Sequence, residues 1–382
     1  MKKNSICEQF GLEYPIFAFT HSPDVVISVS NAGGMGVLGA SGMTPEEFDS
    51  AMKRITNACP EKAFGVDLIL PNKYVGMEDG GLSLEALEKH IPKGHRDFVN
   101  KLLEEYEVGE LEDQEKLASL SAKAGSSVSL SGARALANIA FKYPIKLLVN
   151  ALGTFPEEFR ERAHAQGIKV GALVGQVRHA LKQKDAGVDI IIAQGYEAGG
   201  HTGDIANTVL VPQVVDAVAP IPVLMAGGVA DGRQIAAAMA LGAQGVWTGS
   251  IWLMTEESET HPVVKKKFAE ATSADTLRSR SSTGKHARQL KSSWTDAWED
   301  SKNPDPLPMP LHGMLISDAK LRIEQDALKA KKGATELINY FVGQNVGMLN
   351  EERPAAEVLQ KLTKEYEETM GKLGSPTTSS IK

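Results

Sequence analysis

Short runs of consecutive apolar residues recur along the chain, at 15–19, 36–40, 64–70, 146–150, 168–173, 189–194, 222–226 and 245–249. Most are apolar or β-branched at successive positions rather than at alternate ones. A strand reads this way when both its faces are buried, as in a parallel sheet. Between the later runs lie stretches of helical period, 156–166, 176–186 and 231–241, the last with Asp231 placed as its N-cap and Gly242 as its end. From residue 146 to 249 the runs begin 22, 21, 33 and 23 residues apart. Eight strands on such a βα repeat predict an α/β fold, a (β/α)8 TIM barrel rather than an open doubly wound sheet.

Two segments interrupt the repeat. Residues 73–127 follow the third strand and are far longer than an ordinary crossover. Leu84, Leu87, Phe98, Leu102 and Tyr106 predict short helices there, and seven acidic residues fall between Glu104 and Glu115. The segment enters where barrel strands present their C-terminal ends, so it reads either as a lid or as a solvated helical decoration. The second addition, 261–382, carries a basic loop, a linker stiffened by Pro304, Pro306, Pro308 and Pro310, and a helical tail. Val358, Leu362, Tyr366 and Met370 recur every fourth residue, a stripe expected to pack on the barrel or on a partner subunit of a homodimer. Residues 374–382 are expected to be disordered. The barrel is thereby assigned to 1–72 and 128–260.

Composition narrows the class. The 382 residues are 42% hydrophobic and 23% charged, a globular balance. Lys plus Arg is 41 against 48 for Asp plus Glu, and a net charge of −7 argues against nucleic-acid binding. Cys7 and Cys59 are too few for a disulfide framework or a cysteine-rich zinc site, and no metal is expected. No apolar run approaches the roughly 20 residues of a membrane span. The opening MKKNSICEQFG lacks the apolar core of a secretory signal, so a cytoplasmic location is expected.

The 36 glycines carry the candidate chemistry. Gly34, Gly36 and Gly39 match the G-x-G-x-x-G spacing, but a helix precedes them and a strand follows, the reverse of a dinucleotide site. Ala226-Gly227-Gly228 ends the seventh strand and Thr248-Gly249-Ser250 the eighth. In barrels these two loops cradle a phosphate with backbone N–H groups, and a Cβ would hold the anion away. The sixth strand leads into Gln194-Gly-Tyr-Glu-Ala-Gly199-Gly200-His201-Thr-Gly-Asp204. Paired glycines let backbone approach a flat ligand, and His201 follows at once with an ordinary pKa suited to acid–base work. Glu197 and Asp204 would either orient His201 or cap the next turn.

QGYEAGGHTGD, the AGG after PVLM, and GVWTGSIWLMTEES together resemble the nitronate monooxygenase (2-nitropropane dioxygenase) family of FMN-dependent barrels, over most of residues 11–290. The resemblance implies FMN held by its phosphate at Gly227, Gly228, Gly249 and Ser250, with Gln194 and Gly200 near the flavin. Ala18, Asp67, Gly199 and Thr248 complete the implied cofactor set, and His201 takes the place of the family's catalytic histidine. One departure concerns the third strand, where FGVDLIL puts Asp67 at the position of the family's frequent asparagine. A carboxylate accepts hydrogen bonds but donates one only when protonated.

The resemblance leaves two activities open. One is oxidation of alkyl nitronates with O2. The other is an NAD(P)H-dependent reductase acting on an unsaturated CoA or acyl-carrier thioester, since the insertion and tail resemble a subgroup containing such enzymes. Residues 278–291 hold five cations and no acid, and would either grip a coenzyme phosphate or form a solvated surface loop. A cysteine-dependent nucleotide dehydrogenase is disfavoured because neither cysteine lies on a C-terminal loop. A non-enzymatic binding barrel is the remaining reading.

Overall fold

The computed structural model describes residues 5–70, 84–112 and 130–374. Eight parallel strands close into a barrel in the order β1 (Ile16–Thr20), β2 (Met35–Gly39), β3 (Phe64–Leu68), β4 (Leu147–Asn150), β5 (Lys169–Val174), β6 (Ile190–Gln194), β8 (Val223–Ala226) and β9 (Gly245–Thr248). Each corresponds to one of the eight apolar runs. Outside the barrel, β7 (Gly200–His201) pairs antiparallel with β11 (Ala287–Leu290), which pairs in turn with β10 (Thr276–Ser279).

The helices are α1 (Ser5–Phe10), α2 (Pro23–Asn31), α3 (Pro45–Ala58), α4 (Leu84–Glu88), α5 (Lys93–Glu105), α6 (Leu130–Ala140), α7 (Glu157–Ala165), α8 (Val177–Asp185), α9 (Asn207–Val218), α10 (Gly232–Ala240), α11 (Pro262–Glu270), α12 (Ser293–Glu299), α13 (Leu311–Leu328), α14 (Lys332–Leu337) and α15 (Ala355–Gly374). Local chemistry sets their ends. Asp231 and Gln234 form a reciprocal capping box at α10, and Gly242 closes that helix region at φ +93°.

Barrel residues alternate between two environments. Phe17, Val37, Leu147, Val149, Ile190, Ile192, Leu224 and Trp247 fill the interior. Ile16, Ala18, Leu38, Val66, Leu148, Val170, Ile191 and Val246 face the helical layer. Both faces are therefore apolar, which explains the unbroken runs in the sequence. Ile6, Cys7 and Phe10 of α1 join the interior cluster, with the Phe10 ring edge-on to Phe17 at 5.8 Å, so α1 plugs the N-terminal end.

The sequence reading ends the barrel at residue 260, but its last outer helix comes from α15, which packs between α2 and α10. Gly232 has no room for a Cβ because the backbone of Tyr366 crosses there, and its N–H donates to Glu365 at 3.0 Å. Val358, Leu362 and Tyr366 are buried in this contact, whereas Met370 is 40% exposed. The stripe thus serves the barrel itself.

The described part of the insertion, α4 and α5, packs on α13. Buried Asp326 of α13 accepts from Gly109 N and from Lys331, and Arg322 donates to the Gly109 carbonyl. Residues 73–83 and 113–127, on which the lid expectation also rests, lie outside the described residues, as do 375–382. Among the described residues, no helix is long and apolar enough to cross a membrane.

Candidate active site

The C-terminal ends of the strands bring most of the expected residues to one mouth. Asp67, next to last in β3, lies beside Gly39 and Val149, Gln194 pairs with Ala226, and Gly227–Gly228 and Gly249–Ser250 follow β8 and β9. Ala18 and Thr248 sit differently. The Ala18 side chain lies in the layer between strands and helices. The Thr248 hydroxyl is turned the same way, donating to the Phe17 carbonyl at 3.2 Å and accepting from Trp252 Nε1 at 2.9 Å. The mouth-facing side chains of these strands are Phe19 and Trp247, whose rings stack at 6.0 Å.

Asp67 is 3% exposed, and its Oδ1 has no hydrogen-bond partner among the described residues. Burial pushes its pKa well above the carboxylate range, holding the group toward its neutral form. A neutral carboxyl can donate a hydrogen bond, which narrows its difference from asparagine. His21, after β1, bonds the Gly39 carbonyl through Nδ1 at 2.8 Å, and burial lowers its pKa despite that bond.

His201 lies on β7, held by pairing with Ala287, and its Nε2 is 2.9 Å from Thr283 Oγ1. Its pKa is pushed down to about 4, first by burial and then by the nearby Lys285 charge, so the imidazole is neutral at pH 7. Neither acid suggested as its orienter touches it. Glu197 accepts from Asn207 N at 3.1 Å and so caps α9. Asp204 pairs with Arg278.

The basic stretch is a hairpin rather than a solvated loop. Arg278 and Arg288 lie over the Tyr196 ring at 5.4 and 4.4 Å, and Arg288 Nε donates to the Tyr196 carbonyl. Arg280 donates to the Gly284 and Pro306 carbonyls. Three of the five cations therefore hold protein, and Lys285 and Lys291 are left exposed.

Packing accounts for some glycines and open space for others. A Cβ on Gly199 would meet Gly343 N and the Val342 carbonyl carbon at 2.8 Å. One on Gly227 would meet Ala198 at 2.8 Å, while Gly228 sits at φ +76°. In contrast, a Cβ on Gly200 would have nothing within 4 Å, and one on Gly249 only Phe19 Cδ1 at 3.8 Å. These two present bare backbone to open space, as close approach by a flat or anionic ligand requires.

Sequence reasoning missed the tail segment that closes this region. Gly343 N donates to Ser250 Oγ at 2.8 Å, Gln344 N to the Glu197 carbonyl at 2.9 Å, and Asn345 Nδ2 to the Val229 carbonyl at 3.0 Å. One strap thus joins the loops after β6, β8 and β9. Its only sequence signal is the glycine pair in FVGQNVG, within a tail otherwise read as helical. A buried carboxyl without a partner, bare glycine backbone and this strap fit a polar, hydrogen-bonding ligand better than an apolar one.

Comparison with known proteins decides the family. The nitronate monooxygenase family model matches residues 3–365. The chain belongs to the nitronate monooxygenase family. As a member of that family it is a flavin-dependent oxidoreductase. A Mycobacterium tuberculosis protein named as a monooxygenase is 50% identical over 371 residues, 97% of this chain and 98% of that one. The nitroalkane oxidase of Streptomyces ansochromogenes is 25% identical with a TM-score of 0.78, covering 96% of this chain and 99% of that chain. FabK of Thermotoga maritima is 26% identical with a TM-score of 0.71, covering 98% and 99%.

Proposed function

We propose that this nitronate monooxygenase family member uses FMN to oxidise alkyl nitronates with O2. The observation that carries the reading is neutral His201 beside the bare backbone of Gly200 at the barrel mouth. Bound FMN supplies the redox chemistry. The backbone around Gly227, Gly228, Gly249 and Ser250 holds its phosphate. Gln194 and Gly200 would lie near its ring, and the neutral carboxyl of Asp67 could donate a hydrogen bond to it. Phe19 and Trp247 keep water from the floor of the mouth. When a substrate arrives as the neutral nitroalkane, His201 accepts its α-proton. The low pKa keeps the imidazole unprotonated and able to accept that proton, and the preformed nitronate needs no such transfer.

The likeness to FabK supports a second reading, an NAD(P)H-dependent reductase. The inward turn of Arg278, Arg280 and Arg288 leaves little of the basic stretch to grip a coenzyme phosphate, so the first reading leads. The test is anaerobic. The purified flavoprotein is mixed separately with propionate 3-nitronate, NADH and NADPH while its visible absorbance is followed. A change with the nitronate alone supports the monooxygenase. Bleaching by a nicotinamide alone replaces it with the reductase.

A further inference from the structure

The hairpin turn that carries Thr283 meets His201 and nothing assigned so far explains it. Thr283 Oγ1 has three polar neighbours: His201 Nε2 at 2.9 Å, the Lys285 carbonyl at 3.2 Å and the Lys285 N–H at 3.3 Å. A threonine hydroxyl has one proton to give and two lone pairs to receive with. The Lys285 N–H must occupy one lone pair, because an amide nitrogen only donates. The Lys285 carbonyl only accepts, so it must take the proton. All three contacts coexist only when the remaining lone pair receives a proton from His201.

We propose that Thr283 is a positioning residue that fixes the tautomer of His201, taking its Nε2–H and leaving the Nδ1 lone pair as the proton acceptor of the site. The proposal deepens the function suggested above and rests on His201 being its base. Nδ1 has no hydrogen-bond partner among the described residues, and the buried imidazole stays neutral at pH 7, so a tautomer choice exists to be made.

The turn is built to hold still. Gly284 N donates to the Arg280 carbonyl at 2.8 Å, and Arg280 Nε returns a bond to the Gly284 carbonyl at 3.3 Å. Gly284 sits at φ +82°, and the Leu307 carbonyl fills the place a Cβ would need. The proline-rich segment 304–310 therefore braces the turn from behind, and Arg280 ties it there through the Pro306 carbonyl. A hydroxyl mounted on so fixed a backbone can select one ring orientation.

The experiment reads the proton's position directly. The flavoprotein, labelled with 15N-histidine, is examined by long-range 1H–15N correlation at neutral pH. Among the nine histidines, His201 is assigned by its loss in His201→Gln. The expected spectrum has a pyrrole-like Nε2 and a pyridine-like Nδ1. Thr283→Val should mix the two patterns and lower kcat on a neutral nitroalkane about tenfold with KM held, while Thr283→Ser restores both. A pyrrole-like Nδ1 in the wild-type protein overturns the proposal, as does an unchanged pattern in Thr283→Val. The wild-type spectrum needs no folded variant of Thr283 and no substrate. It stands or falls apart from the activity, whose own failure would appear as unchanged turnover in His201→Ala.

Discussion

The backbone N–H of Gly343 donates to the hydroxyl of Ser250 at 2.8 Å, joining residues 93 positions apart. Glu197 accepts from the next residue, Gln344, so one short strap draws the loops after β6 and β9 together. The phosphate end of the proposed FMN site is therefore as much a product of the tail as of the barrel.

Gly343→Ala tests that dependence. The new Cβ would stand 2.8 Å from both the Glu197 carbonyl oxygen and Asn345 Oδ1. Overpacking of this kind costs about 1–3 kcal/mol, and the strap should lift from the loops. Flavin fluorescence titration should show FMN binding weakened about tenfold, with little change in the far-UV circular dichroism of the barrel. Unaltered affinity would remove the tail from the site.

His201→Ala should retain flavin, because no backbone of the glycine loops depends on the imidazole. Turnover of a neutral nitroalkane should fall about 100-fold or more, and turnover of the corresponding nitronate much less. The readout is oxygen uptake per bound flavin with each substrate. Equal losses on both would mean that His201 does not act by accepting a proton.

Asp67→Asn should be mild where Asp67→Ala is not. The buried carboxyl is held toward its neutral form, and an amide of the same shape also donates. FMN affinity should stay within about threefold in Asn and fall further in Ala. The pH dependence carries a sign. A raised folded pKa stabilises the protein fully below the unfolded value of 3.8, and that contribution is lost as pH rises toward the folded value. The melting temperature of Asp67→Asn relative to the wild type should therefore climb with pH above about 4 and then level off. A constant difference would show that the carboxyl ionises normally.

Acid should loosen the C-terminal part of the protein. His312 is fully buried, bonds the Ser281 carbonyl through Nε2 and meets the Trp298 ring edge-on at 4.6 Å. Burial, chiefly, pushes its pKa down from 6.5 to about 4. A depressed folded pKa in a base means that the unfolded chain takes up the proton first. The stability His312 contributes is whole above about pH 6.5 and is lost as pH falls toward 4. Thermal unfolding across that window should show the decline, and His312→Gln, which keeps a donor for Ser281, should flatten it without loss of flavin. A slope identical to wild type would assign the acid sensitivity elsewhere.

Much of the fold was legible because barrel strands buried on both faces leave unbroken apolar runs. The loop from Gln194 to His201, the Gly227–Gly228 pair after β8 and the single Gly249 after β9 were legible as glycine-rich strand ends, and Gly200, Gly227 and Gly228 do adopt the positive φ that favours glycine. What was hidden depends on contacts that leave no period. Arg288 belongs to a stretch that reads as a phosphate grip or a solvated loop, yet it is 1% exposed because the Tyr196 ring and carbonyl and the Thr276 hydroxyl receive it. Ala18 and Thr248 belong to the cofactor set that the resemblance implies, but alternation along the strands turns their side chains outward. Thr283 lies 82 residues from His201 and meets it only because a two-residue strand pairs with β11. The strap at 343–345 works mostly through backbone groups, to which side-chain patterns are blind.

The strap and α15 also set an order for biosynthesis. All eight barrel strands have been made once residue 248 is joined, but the ring of helices and the last wall of the proposed cofactor seat wait for residues 343 to 374. A nascent chain still tethered to the ribosome by its tail has its strands but not the strap that completes the proposed berth. If the proposed FMN site is right, a product truncated between these points is expected to be barrel-length and to purify without colour.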